Sequence, residues 1–90
     1  MASEYIDTKK VCKAGTTCLV YLKKQWGLTR DDVVDIRVRK HESSSEWFVS
    51  TRRVCKYGTG VAVFLDKVWG FHPGDMVELH VTRRETNDHA

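Results

Sequence analysis

The stretch VCKYGTGVAVFLDKVWGFHPGDMVELHV, residues 54–81, repeats a stretch that lies 43 positions upstream, VCKAGTTCLVYLKKQWGLTRDDVVDIRV at residues 11–38. The two align without a gap and share V-C-K-x-G-T, then V-x-L-x-K-x-W-G, then D-x-V and a final valine. The match continues outward, where Thr8-Lys9-Lys10 corresponds to Thr51-Arg52-Arg53. An internal repeat indicates a fold built from copies of one structural unit. We therefore predict two related halves.

The repeat also sets the predicted domain organisation. The whole chain has 90 residues, and units of about half that length rarely bury enough apolar surface to fold alone. The polar segment HESSSE at residues 41–46 is typical of a linker. We predict a single domain over residues 1–90, in which two repeats share one core. The first repeat spans 5–42, the linker 43–47 and the second repeat 48–85.

Composition and hydropathy indicate a globular protein outside the membrane. The chain is 41% hydrophobic and 30% charged, as is ordinary for a globular domain. Its longest apolar runs, Cys18 to Leu22 and Val61 to Leu65, are too short to cross a bilayer. No charged-then-apolar leader opens the sequence, so we expect no secretion signal. We predict a cytoplasmic location.

The first half of each repeat reads as two strands joined by a turn. A basic stretch with β-branched residues, 5–13 or 48–56, favours the first strand. Glycine turns follow at Gly15-Thr16 and Gly58-Thr59. The next strand is apolar on both faces, which is typical of a strand that is covered on both sides. We expect this strand at the centre of the core.

The second half of each repeat reads as a helical turn and a half-buried strand. The helical turns, 23–26 and 66–69, end at glycines, as helices commonly do. The HPGD segment at residues 72–75 predicts a type II turn. The last strand alternates apolar and polar residues, which indicates one buried and one wet face. The apolar positions are Val34, Ile36 and Val38, and Val77, Leu79 and Val81.

This order of elements resembles the AbrB/MazE-type swapped-hairpin domain, twice over nearly the whole chain. The residues that carry the resemblance in the second repeat are Lys56, Gly58, Val61, Val63, Leu65, Gly70, Pro73, Gly74, Asp75, Val77 and Leu79. Those in the first repeat are Lys13, Gly15, Cys18, Val20, Leu22, Gly27, Asp32, Val34 and Ile36. The chain departs from the family at Lys23 and Asp66, where a proline is usual, and in its shorter helix.

The resemblance implies both a fold and a reason for the repeat. Members of the family usually carry one unit per chain, and two chains exchange hairpins to close a small β-barrel. We therefore expect a mainly β fold, a swapped-hairpin β-barrel in which two tandem β-β-short helix-β repeats form a pseudo-two-fold dimer within one chain. A covalent linker would make this association intramolecular.

The resemblance also implies binding to double-stranded DNA through the basic first strands and adjoining loops. Basic pairs that recur at equivalent positions suit a polyanionic partner, because Lys and Arg neutralise phosphates and release counterions. Arginine also reads base edges, so we expect the lysine half to position and the arginine half to discriminate. Carried over by position, the DNA-binding residues are Lys9, Lys10, Lys13, Thr16 and Thr17, and Arg52, Arg53, Lys56 and Thr59.

Catalytic and metal sites find no support in the residue pattern. The aspartates that recur at the start of the last strand, Asp32 and Asp75, are better explained as turn caps than as ligands. The cysteines form no C-x-x-C pair, which argues against zinc, and a Cys12–Cys55 bridge is disfavoured in the cytosol. The sequence shows no pattern that pairs a nucleophilic side chain with a general base. We predict no enzyme activity, no cofactor, no metal and no small-molecule substrate.

The predicted function is transcription regulation, as a DNA-binding protein associated with the nucleoid. Two alternatives stay open. The first is an antitoxin-like protein whose main partner is another protein, although about eight residues follow the last predicted strand, which is short for a toxin-covering segment. The second is a DNA-coating protein without sequence preference, which only a ratio of specific to non-specific affinity separates from a regulator. Further self-association of the fused pair is also open.

Overall fold

The computed structural model describes residues 4–41 and 46–84, and over these residues the fold is mainly β with no α-helix. Residues 43–45 of the predicted linker and the predicted repeat ends at 42 and 85 lie outside the described residues. Eight strands form in chain order: β1 Glu4–Lys10, β2 Cys12–Ala14, β3 Thr17–Tyr21, β4 Val33–Lys40, β5 Phe48–Arg53, β6 Cys55–Tyr57, β7 Gly60–Leu65 and β8 Met76–Arg83.

The strands form two antiparallel sheets of four. Sheet A has the order β1-β8-β4-β5, and sheet B has the order β2-β3-β7-β6. In sheet A, the first strand of each repeat pairs with the last strand of the other repeat, β1 with β8 and β5 with β4. Neither repeat can therefore complete its part of sheet A from its own residues.

The strand register gives the molecule an internal two-fold axis. At the centre of sheet A, Arg37 faces His80, and at the centre of sheet B, Val20 faces Val63. The members of each pair stand 43 positions apart in the sequence, the same offset that relates the repeats. The axis therefore passes through the middle of both sheets, and equivalent residues lie on opposite sides of it.

The closed barrel expected from the sequence is not formed. The first strand of each repeat, expected over 5–13 and 48–56, is interrupted at Val11 and at Val54. The Val11 N–H donates to Asp75 O at 2.8 Å, and Val11 O accepts from Gly74 N at 2.8 Å. Val54 makes the equivalent bonds with the turn at 31–32. Because these valines pair with a turn instead of a strand, the chain leaves sheet A there and enters sheet B, and the two sheets stay separate.

The main core lies between the two sheets, as the alternating pattern predicts. The six apolar positions of β4 and β8, Val34, Ile36, Val38, Val77, Leu79 and Val81, are all 0% exposed. Sheet B contributes Val20, Val63 and Leu65 to the same cluster, which Leu22, just after β3, and the interrupting valines also join. Burial of this kind is the main favourable contribution to folding.

The central strands of sheet B are covered on both faces, which confirms the prediction from their apolar runs. On the side away from sheet A, Leu19 and Ala62 are fully buried in a second cluster with Ala14. Tyr21 and Phe64 pack against this cluster. β3 and β7 therefore form the buried centre of sheet B.

The turns follow the sequence prediction closely. Short 3₁₀ helices at Lys24–Trp26 and Lys67–Trp69 end at glycines in the left-handed conformation. Gly74 in the predicted type II turn has φ 94°, and the equivalent Asp31 has φ 75°. Both turns close with a hydrogen bond from the fourth residue to the first, so TRDD adopts the HPGD conformation without its glycine. Among the described residues, no helix has the length and apolarity to cross a membrane.

Candidate nucleic-acid interface

Each predicted basic pair on a first strand is divided between two faces. Lys10 and Arg53 are exposed on the outer face of sheet A, the face turned away from the core. Lys9 and Arg52, one position earlier, are half-buried on the side that faces sheet B. Because neighbouring residues in a strand point to opposite sides, the two members of a pair cannot line one surface.

Arg52 is held by its own chain. Its Nε donates to Phe64 O at 3.1 Å, and a terminal guanidinium nitrogen lies 3.7 Å from an Asp66 carboxylate oxygen. The guanidinium carbon lies 5.5 Å from the centre of the Trp69 ring. These contacts fasten β5 to β7 and to the second 3₁₀ turn. Arg53, in contrast, forms no ion pair within the part of the chain that the structure describes.

The first repeat arranges the equivalent charges differently. Asp66 is replaced there by Lys23, whose Nζ lies 3.5 Å from an Asp7 carboxylate oxygen. Lys9, the counterpart of Arg52, therefore has no acid at the equivalent position. The two halves share a backbone but not a charge pattern.

The register of sheet A brings further basic residues to each predicted pair. Arg52 and Arg83 flank Val34 from opposite sides, and Lys9 and Lys40 flank Val77 in the same way. Arg84 donates its N–H to Val33 O at 3.0 Å, and His41 donates its N–H to Met76 O at 2.9 Å. Sheet A therefore has a lysine end, made of Lys9, Lys10, Lys40 and His41, and an arginine end, made of Arg52, Arg53, Arg83 and Arg84.

The sequence-based prediction omitted Lys40 and His41 from the lysine end and Arg83 and Arg84 from the arginine end, although the sequence contained a signal for them. The 43-residue offset relates Lys40 to Arg83 and His41 to Arg84, as it relates the first-strand pairs. What the sequence does not show is the strand exchange, which places the end of one repeat beside the start of the other. The row of Lys10, at His41, and the row of Arg53, at Val33, lie eight residues apart in the strand direction, or about 26 Å at 3.3 Å per residue. Lys10 and Arg53 also stand on the two edge strands, three strand spacings or about 14 Å apart across the sheet.

Acidic side chains pair with two arginines of one end and lie beside His41 of the other. Arg83 lies 3.4 Å from Asp32, and Arg84 lies 3.5 Å from Asp35. At the lysine end, His41 lies 3.7 Å from Glu78. The exposed cations that remain without an ion pair to a described residue include Lys10 and Arg53, one at each end.

Between the two ends, the outer face of sheet A carries a cluster around Trp47. The Trp47 ring lies 4.6 Å from the His80 ring, and the guanidinium carbons of Arg39 and Arg37 lie 4.3 and 5.3 Å from its centre. Arg37 is exposed beside the two-fold axis, whereas Arg39 is paired with Glu78 at 3.2 Å. The centre of the face is thus basic and aromatic.

The predicted loop residues lie on sheet B and not on this face. β3 and β7 are antiparallel, so the turns at 15–16 and 58–59, which precede them, lie at opposite ends of sheet B. Thr16 and Thr59 are exposed at these turns, whereas Thr17 donates its hydroxyl to Ala14 O at 2.9 Å. Lys13 and Lys56 are exposed on the edge strands. The predicted residues therefore form two groups across the axis and no single continuous patch.

The cysteines of the two repeats lie too far apart to pair, and the repeated aspartates cap turns. Cys12 and Cys55 lie on the two edge strands of sheet B, three strand spacings or about 14 Å apart, which is too far for a disulfide. The side chains of Asp32 and Asp75 accept from the backbone N–H groups of Thr29 and His72, at 2.8 and 2.9 Å, which confirms their role as turn caps. No group of three metal-ligating residues occurs over 4–41 and 46–84.

Comparison with known proteins gives no match to a family model, to a curated protein or to a solved structure. The resemblance to the AbrB/MazE-type domain therefore remains a prediction that rests on the residues quoted for it.

Proposed function

We propose that this protein binds double-stranded DNA across the internal two-fold axis, with the lysine end and the arginine end of sheet A on successive parts of the phosphate backbone. The observation that carries the proposal is that the internal two-fold axis relates the two basic ends to each other. Duplex DNA offers phosphates at regular intervals on both strands, so two cationic groups at a fixed separation match its geometry.

The exposed cations are the proposed contacts. Lys10 and Arg53 lead, because each is exposed and forms no ion pair with a described residue. Lys13 and Lys56, with the Thr16 and Thr59 hydroxyls, extend each contact group along the chain towards sheet B. Arg52 supports Arg53 by fixing the strand that carries both, which revises the sequence-based expectation that the two arginines read bases together.

The separation of the ends sets the proposed spacing of contacts. About 26 Å along the strands and about 14 Å across the sheet place Lys10 and Arg53 roughly 30 Å apart, which corresponds to about nine base pairs at about 3.4 Å each. Because the two ends differ in residue type, we propose a target that is an imperfect palindrome, as befits a regulator built from unlike halves. The exchange of first strands between repeats supports a swapped-hairpin relationship, in an open arrangement of two sheets.

Variants at the two ends test the proposal by fluorescence anisotropy on a labelled duplex of random sequence. Lys10→Ala and Arg53→Ala are each expected to weaken binding several-fold, and the double variant more strongly, because each removes a phosphate contact. Lys24→Ala is the matched control, since Lys24 is exposed but lies at neither end. Equal affinities for the double variant and the control would contradict the proposed interface.

A protein partner is the second candidate, favoured by one observation. Ile6 and Val49 are 62% and 64% exposed on the outer face of sheet A, at the two ends of the row that contains Arg37 and His80. Together with the Trp47 ring over His80, these side chains add apolar area to a face rimmed by charged residues, which is typical of an interaction surface. If DNA binding is unaffected by Ile6→Ser and Val49→Ser, the row lies outside the duplex contact and is available to a protein partner.

A further inference from the structure

A pocket of about 210 Å³ lies beside the lysine end, and its aromatic walls have no part in the proposed duplex interface. Its walls include the rings of Phe48, Trp69 and Phe71, together with Arg39, Lys40 and Glu46. The volume is below the usual range for drug-sized ligands, so the pocket has room for one ring system and not for a dinucleotide.

The three rings form a cluster that only the second repeat possesses. Phe48 stacks on Trp69 with centroids 5.5 Å apart, and Phe71 meets Phe48 edge-on at 5.6 Å. The first repeat has an equivalent stack, Tyr5 on Trp26 at 5.2 Å, but Leu28 replaces Phe71. Phe48 is still 36% exposed, although Trp69 stacks on it. The pocket therefore offers aromatic surface to a planar ligand.

The polar walls indicate what else that ligand carries. Lys40 is exposed and forms no ion pair within the part of the chain that the structure describes, so it is available to an anion. Arg39 adds a second cation, whose guanidinium also lies 3.2 Å from Glu78 and 4.3 Å from the centre of the Trp47 ring. Glu46, as an acceptor, suits the exocyclic amino group that adenine, cytosine and guanine bear.

We propose that this pocket binds a single nucleobase together with its phosphate, the base against the Phe48–Trp69–Phe71 cluster and the phosphate beside Lys40 and Arg39. Base–aromatic stacking and a nearby cation are the usual means by which proteins hold an unpaired nucleotide. Glu46 favours bases with an amino group over uracil and thymine. The aromatic walls belong to neither contact group, so this site and the duplex interface share only Lys40 of the lysine end.

Calorimetric titration of the full chain with AMP, adenosine and UMP tests the proposal. Saturable binding of AMP is expected, with weaker binding of adenosine, which lacks the phosphate, and of UMP, which lacks the amino group. Phe71→Leu introduces the residue that the first repeat has at this position and is expected to weaken AMP binding at least fivefold. Lys40→Gln should weaken the binding of AMP but not of adenosine. The control Lys24→Gln should leave both affinities unchanged.

Each result either supports or overturns the assignment. Absence of AMP binding at millimolar concentration, or AMP affinity unchanged by both Phe71→Leu and Lys40→Gln, would overturn it. A short 5′-phosphorylated single strand distinguishes the two sources of the ligand, because tighter binding than AMP indicates a strand end and weaker binding a free nucleotide. Phe71→Leu is expected to retain duplex binding. A failure of the nucleotide-pocket proposal can therefore be distinguished from a failure of the duplex interface.

Discussion

Arg52 and Arg53 are adjacent arginines with different surroundings. The first is half-buried against Phe64, Asp66 and Trp69, and the second is exposed on the opposite face of the strand. The alternation along a strand was predictable from the sequence, and it implied that only one of the two could face a given surface. The partners of Arg52 were not predictable, because they come from a different strand and a different turn.

We expect Arg52→Ala to lower the free energy of unfolding by about 1–3 kcal/mol, because it removes a charged donor from a backbone carbonyl and from Asp66. Arg53→Ala should leave stability within about 0.5 kcal/mol, as is usual for an exposed site. Urea unfolding followed by tryptophan fluorescence measures both. A larger loss for Arg53→Ala than for Arg52→Ala would contradict these roles.

The turn before β8 offers a second comparison at single residues. Gly74 has φ 94°, and its counterpart Asp31 occupies the same left-handed region at φ 75°. Gly74→Ala should cost about 1–2 kcal/mol, because a Cβ is disfavoured in that region. Gly74→Asp should cost less, because aspartate tolerates the conformation that it already adopts in the first repeat. Thermal unfolding compares the two, and equal losses would count against the equivalence of the turns.

At the scale of elements, each strand was predictable but the sheet to which it belongs was not. Periodicity identified β4 and β8 as half-buried and β3 and β7 as covered on both sides. The interruption at Val11 depends on hydrogen bonds to Gly74 and Asp75, more than 60 residues away, and nothing local marks it. The separation into two sheets follows from that interruption and from its counterpart at Val54.

The outer cluster of sheet B combines one large and one small residue at two-fold-related positions, Leu19 and Ala62. We expect Leu19→Ala to cost about 2–5 kcal/mol by leaving a cavity, and Ala62→Leu to cost about 1–3 kcal/mol by overpacking. The double exchange should cost less than the sum, because both residues belong to one cluster and the total volume is restored. Strict additivity in urea unfolding would show that the two sites do not share packing.

At the scale of the whole molecule, the repeat explains why one chain can form a two-fold arrangement. The outer strands of sheet A are exchanged between repeats, so each half supplies what the other lacks. The number of repeats and their equivalence were readable from the sequence. Only the first-strand pairs of the two basic ends could be predicted from the sequence, because strand exchange brings Lys40 and Arg83 beside them.

A single repeat should therefore need a second copy. Residues 1–43 expressed alone are expected to form a homodimer in which β1 of one copy pairs with β4 of the other, as β1 now pairs with β8. Stability should then rise with concentration, because association is coupled to folding. Light scattering and circular dichroism at several concentrations test this expectation. A folded monomer at low concentration would show that the exchange is dispensable.

The most direct test of the central claim is the salt dependence of binding to a random duplex, measured by fluorescence anisotropy at several salt concentrations. Four exposed contacts, Lys10, Lys13, Arg53 and Lys56, predict a slope of log K against log salt near about −3.6. Replacing Lys10 and Arg53 with alanine should reduce its magnitude to about 1.8. Absence of binding at low salt, or a slope that the double variant leaves unchanged, would contradict the account.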